Sequence, residues 1–235
     1  MGGIVNSSRV LARLVVTFAD SHAHQSNYDP QRSKAFKREL VYKVIVWAHA
    51  LRFHLRGQDD WQELRPFLSE QEYAELTERQ HKPNYLHLIT GRRICQATAD
   101  GTLGGFDSFQ MEGQLLALAN YEGGCERIKI TPLLRQYHFF TKLFLFVFMA
   151  LLPFSLIGDF ARMGAPALMI PVSVLVSFVF GVMGKVGEVN EDPFENRITD
   201  VPLTAICNTI ERDLREMLGE RTLPDKLRPV SGFLD

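Results

Sequence analysis

Two long apolar runs in the second half of the chain constrain its fold more than any other feature. Residues 138–157 (HFFTKLFLFVFMALLPFSLI) contain one charged residue, Lys142, and residues 164–184 (GAPALMIPVSVLVSFVFGVMG) contain none. At a rise of about 1.5 Å per residue, each run forms a helix long enough to cross a hydrocarbon layer roughly 30 Å thick. Only residues 158–163 separate the runs. The sequence therefore predicts a transmembrane helical hairpin over residues 138–184.

The alternative is a soluble protein that buries both apolar helices in its core. One such helix is common in a large soluble fold, but two in tandem are difficult to cover with the rest of a 235-residue chain. Pro153 and Pro171 do not argue against membrane helices, because neighbouring groups or waters satisfy the carbonyls that a proline frees. We therefore favour insertion into a lipid bilayer.

The charges beside the two runs predict the orientation of the hairpin. Arg127, Lys129, Arg135 and Lys142 lie before or at the start of the first run, and Lys185 follows the second. The connector carries one Asp and one Arg. The positive-inside rule then places both outer flanks in the cytoplasm and the connector outside. We expect a multi-pass protein of the plasma (inner) membrane whose soluble part is cytoplasmic.

Composition excludes two broad classes of function. The formal net charge is −1 and the basic residues form no dense local stripe, so a nucleic-acid partner is not expected. The three cysteines are far apart and form no CxxC pair, which argues against a disulfide framework and a zinc ribbon. A reduced environment is the simpler interpretation.

The flanking regions are predicted to be helical, which makes the fold class all-α. Apolar residues recur at helical spacing over 33–56, and a second helix follows Ser69, where Glu72 completes a capping box. Residues 81–84 should end that helix. A loop over 98–105 precedes a helix over about 106–121.

The chain is accordingly divided into three parts. Residues 1–130 form a helical cytosolic region, 138–184 the hairpin, and 185–235 a cytosolic junction, helix and tail. The last helix spans 200–219, with Asp200 or Thr204 as its cap and Gly219 as its end. Within it, Glu211 and Arg215 have the spacing of an ion pair.

The sequence gives no support for catalysis or for a resident metal ion. It contains no nucleophile elbow, no phosphate-binding glycine loop and no HExxH motif. His22 and His24 are two residues apart, and His49 and His54 are five apart, neither of which suits chelation by one helix. Gly123–Gly124 reads as a turn. We therefore expect no enzyme activity, no cofactor and no metal site.

Four segments, in order along the chain, resemble one family of membrane proteins. They are GGIVNSSRVLAR at 2–13, GGCERIKITPL at 123–133, ALLPFSLI at 150–157, and GEVNEDPFENRITDVPLTAICNTIERDLREMLGE at 187–220. Together with the hairpin between them, these segments resemble the bacterial branch of the bestrophin family of ion channels. The resemblance covers the whole chain.

This resemblance implies a homopentamer in the lipid bilayer, with a central pore through which inorganic ions, anions or in some members cations, permeate passively. Each subunit would have four membrane helices and a helical cytosolic part. It implies pore-lining roles for Phe106 and Phe109. It also implies a subunit junction where the last membrane helix leaves the bilayer, with these candidates: Glu126, Arg127, Glu191, Asp192, Pro193, Phe194, Glu195 and Asp200.

The chain departs from the family pattern in two places. In animal members the Asn-Pro-Phe segment leads into an acidic run that binds calcium, whereas here residues 196–199 interrupt the acids, so a calcium site is not expected. The family's first membrane helix and the neck-forming part of the second would precede Gly2, so Met1 reads as an internal start. A non-conducting, membrane-anchored helical scaffold or remnant is therefore the alternative function.

Overall fold

The computed structural model describes residues 1–21, 23–24, 28–131, 135–189, 193–197 and 200–229, and these residues contain helices and no strand. The all-α prediction is confirmed. The eight α-helices and two 3₁₀ helices of the described residues are α1 Gly2–Phe18, α2 Pro30–Arg56, a 3₁₀ helix Trp61–Phe67, α3 Glu70–Glu78, α4 Lys82–Ala99, α5 Gly105–Ile130, α6 Arg135–Arg162, a 3₁₀ helix Pro166–Leu168, α7 Met169–Val189 and α8 Leu203–Met217.

The helices divide between two compact units. The first unit combines Met1–Arg127 with Phe194–Asp235, and the second is Ile128–Pro193. The first unit holds the buried core, and the second consists mainly of the antiparallel pair α6 and α7.

Helix α2 is the centre of the first unit, and local signals fix both of its ends. The Asp29 side chain accepts a hydrogen bond from the backbone N–H of Gln31, and Pro30 occupies the first turn, where no N–H is needed. At the other end Gly57 adopts a left-handed conformation with φ of 63°, which glycine tolerates without a Cβ clash. The predicted helix over 33–56 is confirmed and begins three residues earlier.

The core forms because α2 packs against α1, α4, α8 and the first 3₁₀ helix at once. Its apolar residues are buried nearly all round, which is the pattern of a central helix rather than a surface one. The ring of Phe53 meets that of Trp61 edge-on at 5.4 Å. The largest fully buried side chains of the unit are Leu11, Phe36, Leu40, Ile45, Phe53, Leu55, Leu64, Leu76, Leu86, Met111, Leu118 and Ile210.

The predicted capping box at Ser69 is confirmed, but the segment after α3 was misassigned. Ser69 and Glu72 exchange side-chain and backbone hydrogen bonds at the start of α3. His81 does not end that helix. Its side chain caps the next one, α4, in which Pro83 occupies the first turn.

Two further boundaries differ from the predictions. Helix α5 continues to Ile130, so Gly123–Gly124 lies inside a helix and is not a turn. Helix α8 begins at Leu203 after Pro202, and neither Asp200 nor Thr204 caps it. Asp200 instead accepts a hydrogen bond from the backbone N–H of Arg197, 2.9 Å away. The predicted pair of Glu211 and Arg215 is confirmed at 2.9 Å.

The hairpin forms with its connector five residues further along the chain than predicted. Residues 158–162 complete the last turns of α6, so the chain reverses over 163–165 and the 3₁₀ helix Pro166–Leu168 before α7 starts. Gly164 permits the reversal because its φ of 73° lies in the left-handed region. Pro153 lies inside α6 without ending it.

Candidate functional site

The surface of the second unit is apolar and exposed. Two stretches, Phe139–Arg162 and Pro166–Gly187, are long and apolar enough to span a membrane, and almost none of either is buried against protein. Rings such as those of Phe144 and Phe154 are 67% and 76% exposed. A soluble core helix would hide these side chains. Exposed apolar surface of this extent indicates contact with lipid or with other subunits.

The two helices of the hairpin pack closely along one seam. The rings of Phe148 and Phe180 meet edge-on with centroids 5.1 Å apart. A Cβ added to Gly184 would lie 3.0 Å from Cδ2 of Leu145, so the absence of a side chain there lets the α7 backbone approach α6. Small residues serve this purpose in membrane helix pairs.

The two pore-lining candidates lie together on the first two turns of α5. Phe106 and Phe109 are three residues apart, which places them on one face, and their exposed fractions are 71% and 73%. They are therefore not part of the core of the first unit.

The candidates for the subunit junction differ in how far they are buried. Phe194 is buried in the core of the first unit, and Glu195 is exposed. Pro193 is half-buried, and Asn196 has a φ of 62°, which asparagine tolerates better than most residues. Glu191 and Asp192 lie outside the described residues.

Glu126 is not an isolated surface carboxylate, because two histidines converge on it. Its Oε1 atom lies 3.1 Å from Nε2 of His54 and 2.8 Å from Nε2 of His81. The two imidazole rings face each other with centroids 4.8 Å apart. We call these three residues the His–Glu cluster. Arg127, the neighbouring candidate, is exposed.

A second carboxylate lies one turn before Glu126 on α5. The Glu122 side chain is only 6% exposed; it accepts a hydrogen bond from Nε1 of Trp47 at 2.9 Å and lies 3.0 Å from Nε2 of His87. Burial opposes ionisation of Glu122, but the contacts with His87 and Trp47 outweigh it and hold its pKa below the ordinary value. This carboxylate is therefore a fixed negative charge behind the His–Glu cluster.

This arrangement was not predicted, because the spacing of histidines along the chain relates each one only to its neighbours in sequence. His54 is in the last turn of α2, His81 caps α4, and Glu126 is near the end of α5. Only the packing of three helices brings them together. The one sequence signal was Pro83, because proline favours the first turn of a helix and so places His81 at a helix start.

Comparison with known proteins shows the family to which the chain belongs. The family model described as Bacterial/Fungal Bestrophin protein matches residues 1–216. The chain belongs to the bacterial and fungal bestrophin family. Voltage-dependent anion channel-forming protein YneE of Salmonella typhi is 32% identical over 191 residues, which are 81% of this chain and 61% of that protein. The protein of the same name in Escherichia coli is 32% identical over 192 residues, covering 82% and 62%.

Solved bestrophin structures share the fold. A crystal structure of a bacterial bestrophin homolog from Klebsiella pneumoniae matches with a TM-score of 0.79 at 29% identity, covering 94% of this chain and 76% of that one. A single-substitution variant of that homolog matches with a TM-score of 0.80 at 30% identity, covering 93% and 76%. The family resemblance noted in the sequence is therefore confirmed.

Two conclusions follow from membership of the bestrophin family. The protein is a membrane protein, as the hairpin predicted. The family is one of channels, not of enzymes, which confirms the expectation that the chain has no catalytic role. The chain spans about three fifths of the length of the curated relatives it matches.

Proposed function

We propose that this chain is a subunit of a bestrophin-type channel through which anions cross the membrane passively. The exposed apolar hairpin is the observation that carries the proposal, because α6 and α7 need lipid or neighbouring subunits around them. The names of the YneE relatives, anion channel-forming proteins, favour anions over cations. Cation permeation is the competing selectivity.

Phe106 and Phe109 are the side chains that we assign to the pore. Two exposed phenylalanines on one helix face are costly in water, and a ring of them contributed by several subunits would form a narrow apolar constriction. Such a constriction limits ion flow by excluding water rather than by binding the ion. This assignment requires that α5 faces the symmetry axis of the assembly.

We assign a homopentamer in the plasma (inner) membrane, with the connector between α6 and α7 outside and the first unit in the cytoplasm. The basic residues Arg127, Lys129 and Lys185 on the flanks of the hairpin support this orientation through the positive-inside rule. Glu191, Asp192, Pro193, Glu195 and Asp200 follow the hairpin in the chain, where a junction with a neighbouring subunit is expected.

Liposome flux tests the proposal. The purified chain is reconstituted, its oligomeric state is measured by cross-linking, and ion flux is followed under separate chloride and sodium gradients. We expect flux that depends on the chloride gradient, and a pentamer. Phe106→Ala together with Phe109→Ala should raise the flux by widening the constriction. Leu88→Ala, which removes an exposed apolar side chain from α4, serves as the matched control and should leave the flux unchanged.

Each result that opposes these expectations would overturn a specific assignment. Sodium-dependent flux would replace the anion assignment with a cation channel. Protein that inserts and assembles without flux above that of empty liposomes would contradict the channel proposal and favour the membrane-anchored scaffold. Equal effects of the phenylalanine and Leu88 variants would remove Phe106 and Phe109 from the pore.

A further inference from the structure

The His–Glu cluster joins two imidazoles and a carboxylate from three different helices of the first unit. Their ligand atoms all lie within 4.8 Å of one another. Among the described residues this is the only group of three or more potential metal ligands with that spacing. We propose that His54, His81 and Glu126 bind a divalent transition-metal ion of the zinc type, with one coordination position open to water.

The distances within the cluster are close to those that such an ion requires. Zinc binds histidine nitrogen and carboxylate oxygen at about 2.0–2.2 Å, so tetrahedral ligands are separated by about 3.3 Å. Oε1 of Glu126 is already 3.1 Å from Nε2 of His54 and 2.8 Å from Nε2 of His81. Small rotations of the two imidazoles therefore make room for the ion without moving the helices.

Within the described part of the chain, the Oε1 atom of Glu126 makes no aligned hydrogen bond that would explain its short contacts with His54 and His81. Oε1 of Glu126 is buried, and no donor among the described residues meets it with the alignment of a hydrogen bond, although two ring nitrogens are close. In a metal site the ligand lone pairs point at a common ion and not at one another. An ion between the three residues would satisfy this oxygen.

Glu122 is a candidate for the outer hydrogen bond that metal-binding histidines usually make, although its Oε1 does not bond to His81 in this structure. Nδ1 of His81 accepts a hydrogen bond from the backbone N–H of Asn84 at 3.2 Å and lies 3.7 Å from Oε1 of Glu122. When Nε2 binds the ion, Nδ1 carries the proton, and a small rotation of the ring would bring it within hydrogen-bond distance of Glu122, which Trp47 holds in place. The Asn84 N–H is exposed, so water takes over its bond.

The ligand set indicates the class of ion. Two neutral imidazoles and one carboxylate suit zinc and its neighbours among the transition metals, whereas calcium and magnesium prefer oxygen ligands throughout. The side chains of His54 and His81 are 31% and 42% exposed, which leaves a path for the ion and room for a bound water. The site is distinct from the hairpin and from Phe106 and Phe109.

A titration of the whole chain in detergent tests the proposal. The protein is stripped with a chelator and titrated with Zn²⁺ by calorimetry, in the Cys95→Ser variant so that the exposed thiol cannot bind metal. We expect one ion per chain and a higher Tm, because an ion that binds only the folded state stabilises it. Replacing a residue that only hydrogen-bonds to a metal ligand costs roughly 10- to 100-fold in metal affinity. His81→Gln and Glu126→Gln remove ligands themselves and should therefore weaken Zn²⁺ binding by more than that.

Two controls separate a built site from adventitious binding. His24→Gln, which changes a histidine outside the cluster, should leave the affinity unchanged. Co²⁺ should give the strong visible absorption of a tetrahedral site, a readout that does not depend on any variant folding. Weak octahedral absorption in the unchanged cluster, or equal affinity in Glu126→Gln and in the parent, would overturn the proposal. Equal losses in His24→Gln and His81→Gln would also overturn it.

Discussion

Lys43 is a charged residue that the first unit buries almost completely. Its side chain is 3% exposed, and its ammonium group contacts the carboxylate of Glu72 on α3 and lies 3.3 Å from that of Glu39 on α2. Removing a charge from water is costly unless opposite charges compensate for it. Glu72 therefore has two roles, since it also completes the capping box of α3.

The substitution Glu72→Gln separates these two roles. Glutamine still completes a capping box, but it no longer neutralises Lys43. We expect the free energy of unfolding to fall by about 1.5–3 kcal/mol, the usual worth of a hydrogen bond to a charged group. Urea unfolding in detergent, followed by tryptophan fluorescence, measures it, because Trp47 and Trp61 both lie in the first unit. The exposed residue Glu78 provides the control: Glu78→Gln should change stability by no more than about 0.5 kcal/mol.

The same carboxylate predicts how stability changes with pH. Burial opposes ionisation of Glu72, but Lys43 and Ser69 outweigh it, so its folded-state pKa lies below the ordinary 4.5. Its contribution is therefore complete above pH 4.5 and is lost as pH falls through the folded-state pKa. The gap in unfolding free energy between the parent and Glu72→Gln should stay constant from about pH 6 to about pH 4.5 and shrink as the pH is lowered further. A gap that stays constant below pH 4.5 as well would contradict this assignment.

The three cysteines differ in their expected reactivity. Cys95 is exposed, whereas burial raises the pKa of Cys125 and raises that of Cys207 to about 12. Because the thiolate is the reactive form, N-ethylmaleimide should add once to the folded protein and three times after denaturation, as mass spectrometry measures. Cys95→Ser should leave no rapid adduct. A second rapid adduct on the folded chain would contradict the buried environment of Cys125 or Cys207.

At the scale of elements, the hairpin depends on the close approach of α7 to α6 at Gly184. A side chain there meets Leu145, whereas one at Gly181, on the same helix, meets nothing within 4 Å. We expect Gly184→Val to loosen the pair at a cost of about 1–3 kcal/mol, and Gly181→Val to have little effect.

Cross-linking between cysteines introduced at Phe148 and Phe180 reports this packing, since their rings are in contact. The cross-link should form more slowly in Gly184→Val than in Gly181→Val. Equal rates in the two variants would show that the glycine is not needed for the approach.

Local signals predicted several elements correctly. The hairpin, α2, the capping box of α3 and the pair in α8 follow from apolar periodicity, capping residues and i, i+4 spacing, all of which are local. Helix α4 was missed because its cap, His81, and its first-turn proline, Pro83, also suit the end of a helix. Gly123–Gly124 was misread because glycine has a low helix propensity, whereas α5 continues through the pair with Glu122 and Cys125 buried on either side of it.

The candidate site was harder to predict than the fold. Phe106 and Phe109 were chosen from the family resemblance. Their exposure leaves both side chains free to face a pore or another subunit. The His–Glu cluster could not be derived from spacing, because its members are separated by 27 and 45 residues along the chain. Only the packing of α2, α4 and α5 brings them into contact.

For the molecule as a whole, the proposed membrane topology requires that the hairpin lies in lipid with both of its outer flanks on the same side of the membrane. Single cysteines at Met163, Val174 and Asp225, in a chain whose natural cysteines are replaced by serine, report the connector, the apolar first half of α7 and the C-terminal region. Labelling with a membrane-impermeant maleimide in sealed right-side-out and inside-out vesicles measures which side each one faces. Met163→Cys should react only in right-side-out vesicles, Asp225→Cys only in inside-out vesicles, and Val174→Cys in neither. Reaction of Val174→Cys in both kinds of sealed vesicle, or of Met163→Cys and Asp225→Cys from the same side, would contradict the account.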